Sequence, residues 1–189
     1  ALPFLKLLSG LDSILDTHET ARKGDIYNTV SGAVVSGKEG LSVIPCAYQR
    51  VFIQWVPRGL GTGAPMNVYK HYVMVLNEDG STETALIAMK STQLKKSRKW
   101  NSMIQSVTMQ GKNGPFNPPR FSHVYRVKAE SEENSKGSWH GWEMSRENPV
   151  QDASVYARAK AFSESVLTGD VVVKHQNDDE GKGSDDIPF

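Results

Sequence analysis

The hydrophobic pattern of the chain becomes strand-like near residue 41. Residues 43–56 form a long run of apolar, aromatic and β-branched side chains, and residues 70–77 and 83–90 form two shorter runs. Runs of this kind predict β-strands. The second and third runs are joined through Glu78-Asp79-Gly80-Ser81, in which Asp-Gly favours a tight hairpin. We therefore predict a three-stranded meander.

A helix is predicted next, over residues 93–109. Trp100 and Ile104 lie on one face at helical spacing with neighbouring apolar residues, and basic side chains occupy the opposite face. Ser91 or Thr92 is suited to cap its first turn. We interpret the basic run on this helix as a solvated face, and the alternative is a phosphate-binding surface. That run consists of Lys95, Lys96, Arg98 and Lys99.

Two further strands and a second helix complete this part of the chain. Residues 121–130 and 139–146 have strand character, and a polar linker separates them; a loop rich in Gly, Pro and Asn precedes the first. The second helix is predicted to begin at Asn148, with Pro149 in its first turn, and to end at Gly169. The apolar run near the beginning of the chain is short, and we interpret it as an amphipathic helix.

The order of these elements is three strands, one helix and two strands. This is the order of the OB-fold, a partly open five-stranded barrel that binds oligonucleotides. The predicted fold class is mainly β (α+β): an OB-fold-like barrel with a helix between strands 3 and 4, an additional C-terminal helix and a disordered acidic tail. The expected parts are an N-terminal extension at 1–40, the binding domain at 41–170 and the tail at 171–189.

Charge is distributed unevenly along the 189 residues. The last thirteen residues hold five acids and one lysine, a net charge of −4; since the whole chain carries +1, the remainder carries +5. A basic body with an acidic end is typical of proteins that bind nucleic acid. The single cysteine, Cys46, excludes an internal disulfide and fits a reducing compartment, so we expect a cytoplasmic protein without export signal or membrane helix.

Binding of single strands without sequence preference requires cations for phosphates and aromatic faces for bases. Side chains alternate between the two faces of the first long strand. One face carries Tyr48, Arg50, Phe52 and Gln54, and the other carries the predicted core residues Ala47, Val51, Ile53 and Trp55. The alternative is that these aromatic side chains pack under a loop. Because only one face of each strand can line a groove, about half of the aromatic residues on the predicted strands must belong to the core. The predicted DNA-binding residues are Tyr48, Arg50, Phe52, Gln54, Arg58, Tyr69, Lys70, Tyr72, Arg120, Tyr125, Arg126 and Lys128.

Motifs of catalysis are not found in the sequence. The chain contains no G-x-S-x-G, phosphate-loop or H-E-x-x-H pattern, and its five histidines are spread singly. No close pairing of His and Cys indicates zinc. We therefore predict a protein that is not an enzyme and needs no cofactor or metal.

The last five residues, Asp185-Asp186-Ile187-Pro188-Phe189, closely resemble the tip of bacterial single-stranded DNA-binding proteins. The resemblance implies that these residues dock into basic-rimmed apolar pockets on replication and repair proteins. Residues 43–48, 52–58 and 97–103 are similar to a family of phage-encoded proteins thought to bind single-stranded DNA, and this likeness spans most of residues 40–170. The rest of the chain departs from the bacterial housekeeping protein, which leaves the oligomeric state open.

Three functions are compatible with these features. The first is a protein that coats and protects single-stranded DNA in phage replication and recombination and recruits partners through its tip. The second is a recombination or annealing mediator with the same fold. The third, from a different class, is a metal-dependent nuclease.

Overall fold

The computed structural model of the protein describes residues 2–54 and 65–169. Two 3-10 helices, Ser91–Gln93 and Arg120–Ser122, accompany the regular elements. No helix in these two ranges is long and apolar enough to cross a membrane. The strands are β1 (Leu5–Leu7), β2 (Ile26–Asn28), β3 (Val34–Val35), β4 (Leu41–Gln54), β5 (Pro65–Leu76), β6 (Thr82–Lys90), β7 (Met109–Gly111), β8 (Gly114–Phe116), β9 (His123–Asn134) and β10 (Gly137–Pro149). The helices are α1 (Ile14–Thr17), α2 (Leu94–Gln105) and α3 (Ala153–Leu167).

Five antiparallel strands form the main sheet, in the order β10-β9-β4-β5-β6. The predicted meander is confirmed as β4, β5 and β6, and its second turn uses Gly80 in the left-handed region at φ +87°. The backbone N–H of Asn77 donates to the carbonyl of Ser81 across this turn (2.9 Å). The predicted mainly β class with helices is therefore confirmed.

The main sheet is open in the described ranges, since β6 and β10 are its two edges. β1 lies against both of these edge strands. Phe4 forms a parallel bridge to Leu86 of β6, and the Leu86 N–H donates to the carbonyl of Pro3 (2.9 Å). The N-terminal segment thus lies between strands that do not pair with each other.

Residues 2–8 are not the helix that the sequence predicted. β1 pairs with β2, which pairs with β3 in a separate three-stranded sheet. Leu2, Phe4, Leu5 and Leu8 are all buried, because the segment is packed on both sides rather than lying on a surface as an amphipathic helix would. Tertiary packing has decided the conformation of a short apolar run, as it commonly does.

Two apolar cores lie on opposite faces of the main sheet. The first is covered by α2 and the second by α3. Members of the α2-side core include Val43, Val73, Ile87, Trp100, Tyr125, Val127 and Trp142. Members of the α3-side core include Ile44, Cys46, Tyr72, Met74, Leu86, Ala159 and Phe162.

Several predicted element ends are wrong. Neither Ser91 nor Thr92 caps α2, whose N-cap is Gln93 without a side-chain cap bond. α3 begins at Ala153 rather than at Asn148, because β10 extends to Pro149. The Asp152 carboxylate caps α3 by accepting hydrogen bonds from two backbone N–H groups, at 2.8 and 3.2 Å. The predicted linker at 131–138 is mostly strand, and the predicted loop at 111–119 contains β8 and the turn of a small hairpin.

Candidate nucleic-acid interface

Aromatic and basic side chains meet on the α2 side of β4 and β5. The rings of Tyr48 and Tyr69 are in edge-to-face contact, with centroids 5.9 Å apart, and His71 lies 4.9 Å from Tyr48. The guanidinium carbon of Arg50 lies 5.3 Å from the Tyr69 centroid, and that of Arg120 lies 5.6 Å from the Tyr48 centroid. We call these five residues the Tyr48 cluster.

A β-bulge in β4 brings Tyr48 to this face. Tyr48 lies five positions after Val43, but their partners on β5, His71 and Val75, are only four positions apart, because the register shifts between Pro45 and Ala47. One extra residue reverses the alternation of side chains. Tyr48, Arg50 and Phe52 therefore continue the face of Val43 rather than that of Ile44.

Packed rings support the Tyr48 cluster from the interior. The His71 Nε2 and the Ser97 hydroxyl of α2 share a hydrogen bond of 2.6 Å, and the His71 ring stacks on Trp100 with centroids 4.6 Å apart. Trp100 in turn contacts Tyr125 edge to face at 6.1 Å. Burial, and secondarily the charge of Arg120, lowers the pKa of His71 to about 3. The neutral imidazole is held by these contacts and packs against the ring of Tyr48.

The guanidinium group of Arg120 is positioned by a hydrogen bond to α2. Its Nη2 donates to the Asn101 side-chain oxygen at 2.9 Å, whereas Nη1 is shielded from solvent and has no hydrogen-bond partner in the described ranges. Burial lowers the pKa of Arg120 from its ordinary value. A buried donor without a partner is costly, and an anionic oxygen placed beside it would offset that cost.

Two members of the predicted set are freely accessible on β4. Arg50 is exposed, and Phe52 exposes 68% of its surface, next to Asn67 across the strand pair. Tyr48 is half-buried, and this burial raises the pKa of its hydroxyl. The exposed Phe52 ring and the exposed Arg50 cation thus lie on the same face as the partly covered Tyr48 ring.

Four predicted DNA-binding residues are buried: Tyr69, only 5% exposed, belongs to the Tyr48 cluster, and the other three pack elsewhere in the interior. Alternation along β5 directs Tyr69 and His71 to the α2 side, so Lys70 and Tyr72 point to the opposite face. Tyr72 packs under α3, where its hydroxyl donates to Gln49 (3.1 Å), and Lys70 is only 2% exposed. Tyr125 is buried in the α2-side core against Trp100. None of Lys70, Tyr72 and Tyr125 offers a surface for stacking or phosphate contact.

Arg126 and Lys128 lie on β9, away from the Tyr48 cluster. β9 pairs with β4 only at residues 41–43, whereas the cluster begins at Tyr48. Arg126 donates to the carbonyl of Glu39 (3.1 Å) and forms an ion pair with Glu147 (3.5 Å). The side chain of Gln54, and all of Arg58 and the predicted partner-binding residues Asp185, Asp186, Ile187, Pro188 and Phe189, lie outside the described residues.

The basic face of α2 is divided between two environments. Lys96 forms ion pairs with Glu130 and Glu132, the latter at 3.2 Å. The other three cations, Lys95, Arg98 and Lys99, are exposed. The solvated-face interpretation therefore fits three of the four, and Lys96 links α2 to β9.

Sequence reasoning missed two features of this region. Ser97 lies on the buried side of α2, and its bond to His71 depends on a contact that no local pattern predicts. Phe116 is 46% exposed on β8, in a stretch that the sequence predicted as a loop. The pair Asn113-Gly114 between Met109 and Phe116 indicates a hairpin that would have brought Phe116 into consideration.

The single cysteine of the chain lies in the α3-side core. Cys46 is buried, its thiol donates to the Ile44 carbonyl (3.3 Å), and burial raises its pKa to about 12. Within residues 2–54 and 65–169, no three His, Cys, Asp or Glu side chains are grouped so that they could hold a metal ion.

Comparison with known protein families gives a match over most of the chain. A family model described as Pam3 phage gp34-like protein matches residues 1–70 and 64–172. No curated protein and no solved structure matches the chain. The matched segments contain every member of the Tyr48 cluster, and the acidic end lies beyond them.

Proposed function

Because the chain belongs to the Pam3 phage gp34-like protein family, we propose that it is a phage-encoded protein that binds single-stranded DNA and protects it during replication and recombination. The observation that carries this proposal is the Tyr48 cluster, in which the Tyr48 and Tyr69 rings stand between two guanidinium groups. Phe52 extends the same face of β4 with an exposed ring.

The chemistry of this surface suits a flexible polyanion with flat bases. Stacking on an aromatic ring is available to every base, and it contributes about 1–3 kcal/mol per base. Arg50 and Arg120 supply charge for phosphates, whose binding releases counterions. The exposed Phe52 ring projects from a strand rather than a loop, so its position is defined by the sheet. These properties favour binding that is tolerant of sequence and sensitive to salt.

The connection of the strands supports an OB-fold as the framework. β4, β5 and β6 form the meander, α2 follows the third strand, and β9 returns to pair beside β4. A fourth strand that returns to lie beside the first is the Greek-key connection. In the proposed fold, the barrel is partly open between β6 and β10, and β1 lies along this opening.

We further propose that the acidic end recruits replication and repair proteins. Asp185 and Asp186 would speed the encounter with a basic pocket, Ile187 and Phe189 would fill it, and Pro188 would restrict the backbone. This role rests on the resemblance of these five residues to the bacterial tip.

Fluorescence anisotropy with labelled oligo-dT tests the proposed function. The full chain is titrated against single strands of increasing length and against a duplex of equal length, each at two salt concentrations. We expect tighter binding to the single strand, weakening steeply with salt. Equal affinity for single strand and duplex would contradict the proposal, as would binding that does not respond to salt.

A further inference from the structure

Three contacts are spaced regularly along one side of α2. Ser97 bonds to His71, Asn101 accepts from Arg120, and the backbone carbonyl of Gln105 accepts from Asn117 at 3.1 Å. These α2 residues are four apart, so each contact lies about 6 Å further along the helix than the last. α2 thereby aligns the Tyr48 cluster, which includes Arg120, and the residue that follows β8 in a row.

The far end of this row is the hairpin of β7 and β8. Asn117 also donates to the carbonyl of Val107 (3.0 Å), which fixes the base of the hairpin to the end of α2. The Phe116 ring lies directly over Gly111, where a Cβ atom would be 3.1 Å from two of its carbons. Almost half of Phe116 stays exposed. An aromatic ring is thus presented on an anchored hairpin.

The surface between these two ends is basic. Residues 91–122 contain six Lys or Arg and no Asp or Glu. Arg98 is exposed and lies three residues before Asn101 and seven before Gln105, so it shares their side of the helix. Lys112 is exposed in the turn of the hairpin. The acids Glu130 and Glu132 of β9 are paired with Lys96, and the exposed cations of this segment complement a polyanion.

We propose that the bound single strand runs along α2, from the Tyr48 cluster past Arg98 and Arg120, and that a base stacks on Phe116. This inference rests on the proposed function and adds to it a path and a second stacking position. A solvent-exposed aromatic alone would be unremarkable on a protein surface. Here it stands at the end of a row of contacts along α2, with Arg98 and Lys112 exposed beside it, whose other end is the aromatic cluster.

The test uses three variants of the full chain. Phe116→Ala removes the ring, and Phe116→Tyr keeps it. Leu167→Ala is the matched control, because Leu167 is 77% exposed at the end of α3 on the opposite side of the sheet. Affinity is measured by anisotropy for oligo-dT strands of increasing length, and circular dichroism checks the fold of each variant.

We expect Phe116→Ala to weaken binding of long strands about five-fold or more, with Phe116→Tyr and Leu167→Ala near wild type. Wild-type affinity should also keep rising to longer strands than the affinity of Phe116→Ala does. If Phe116→Ala bound oligo-dT of every length as tightly as the wild type does, the path would be wrong and the proposed function would stand. The same holds if Leu167→Ala lost as much affinity as Phe116→Ala. If the wild-type protein bound no oligo-dT, both would fail.

Discussion

Arg120 lies over the ring of Tyr48, with its guanidinium carbon 5.6 Å from the ring centroid. The two residues belong to different elements, and Asn101 of α2 holds the guanidinium in place at 2.9 Å. A cation fixed against an aromatic ring offers a phosphate contact beside a stacking surface. The pairing therefore makes Arg120 the most direct probe of the proposed site.

Replacing this cation should alter the salt dependence of binding. We expect Arg120→Gln to weaken binding of oligo-dT and to reduce the slope of log K against log salt by about 1, because one phosphate contact is lost. Arg126→Gln is the control, since Arg126 pairs with Glu147 on β10. The slope is measured by titration at four salt concentrations. An unchanged slope in Arg120→Gln would remove Arg120 from the interface.

Phe52 and Tyr72 should respond in opposite ways to truncation. Phe52→Ala should weaken binding by about 1–3 kcal/mol and leave the melting temperature unchanged, because its ring is exposed. Tyr72→Ala should destabilise the fold by about 3–5 kcal/mol, because its ring is buried under α3. Thermal unfolding and anisotropy of the same preparations separate the two effects. A large loss of stability in Phe52→Ala would show that the ring is part of the core.

Mild acid should destabilise the protein through His71. Its pKa is lowered from 6.5 to about 3 in the folded protein, so below about pH 6.5 the unfolded chain binds a proton that the folded one excludes. The free energy of unfolding should therefore fall as the pH decreases from 6.5 towards 3. Urea unfolding at a series of pH values measures this.

A double variant isolates the contribution of His71. His71→Phe with Ser97→Ala removes the titrating ring together with its hydrogen-bond partner, and its stability should depend less on pH between 6.5 and 4.5. The pKa of His123 is also lowered by burial, so His123→Gln serves as the comparison. An unchanged pH profile in the double variant would contradict the assignment to His71.

Cys46 should be unreactive in the native protein. Its thiol is buried and its pKa is raised to about 12, so almost no thiolate is present at pH 8. A chromogenic disulfide reagent should modify it only after denaturation. Rapid stoichiometric reaction in native buffer would show that the α3 side of the sheet opens readily.

Two truncations distinguish the charge of the acidic end from its tip. Removing residues 177–189 takes away a net charge of −4 and should raise affinity for single strands at low salt, with the gain fading as screening sets in over about 10 Å at 0.1 M. Removing Phe189 alone should leave DNA affinity near wild type and reduce partner binding sharply. Pull-down of replication proteins measures the latter. Partners that still bind without Phe189 would contradict recruitment through the tip.

Local patterns were sufficient for much of the sheet. The three strands of the meander have long β-branched and aromatic runs, and the turn at Gly80 carries its own chemical signature, so these elements were predicted correctly. The face of Tyr48, Arg50 and Phe52 was also predicted, because alternation holds after the bulge.

Features that depend on distant contacts could not be predicted. Tyr69 and Tyr72 have equal aromatic character and are both buried, and only the register with β4 and the position of α3 decide that the first packs against Tyr48 and the second against Phe162. Residues 2–8 have the composition of a short helix, yet β2 and β6 draw them into a strand. In both cases the deciding partner lies far away in the sequence.

The bridge between Phe4 and Leu86 joins two segments that are synthesised far apart in time. The segment 2–8 is synthesised well before β6 and β10, against which it packs. The nascent chain therefore exposes an apolar segment until those strands have been made. Contacts between residues so far apart form late and slowly. Until segment 2–8 packs against β6, the edge of β6 is open to pairing with other chains, so expression at low temperature should reduce aggregation.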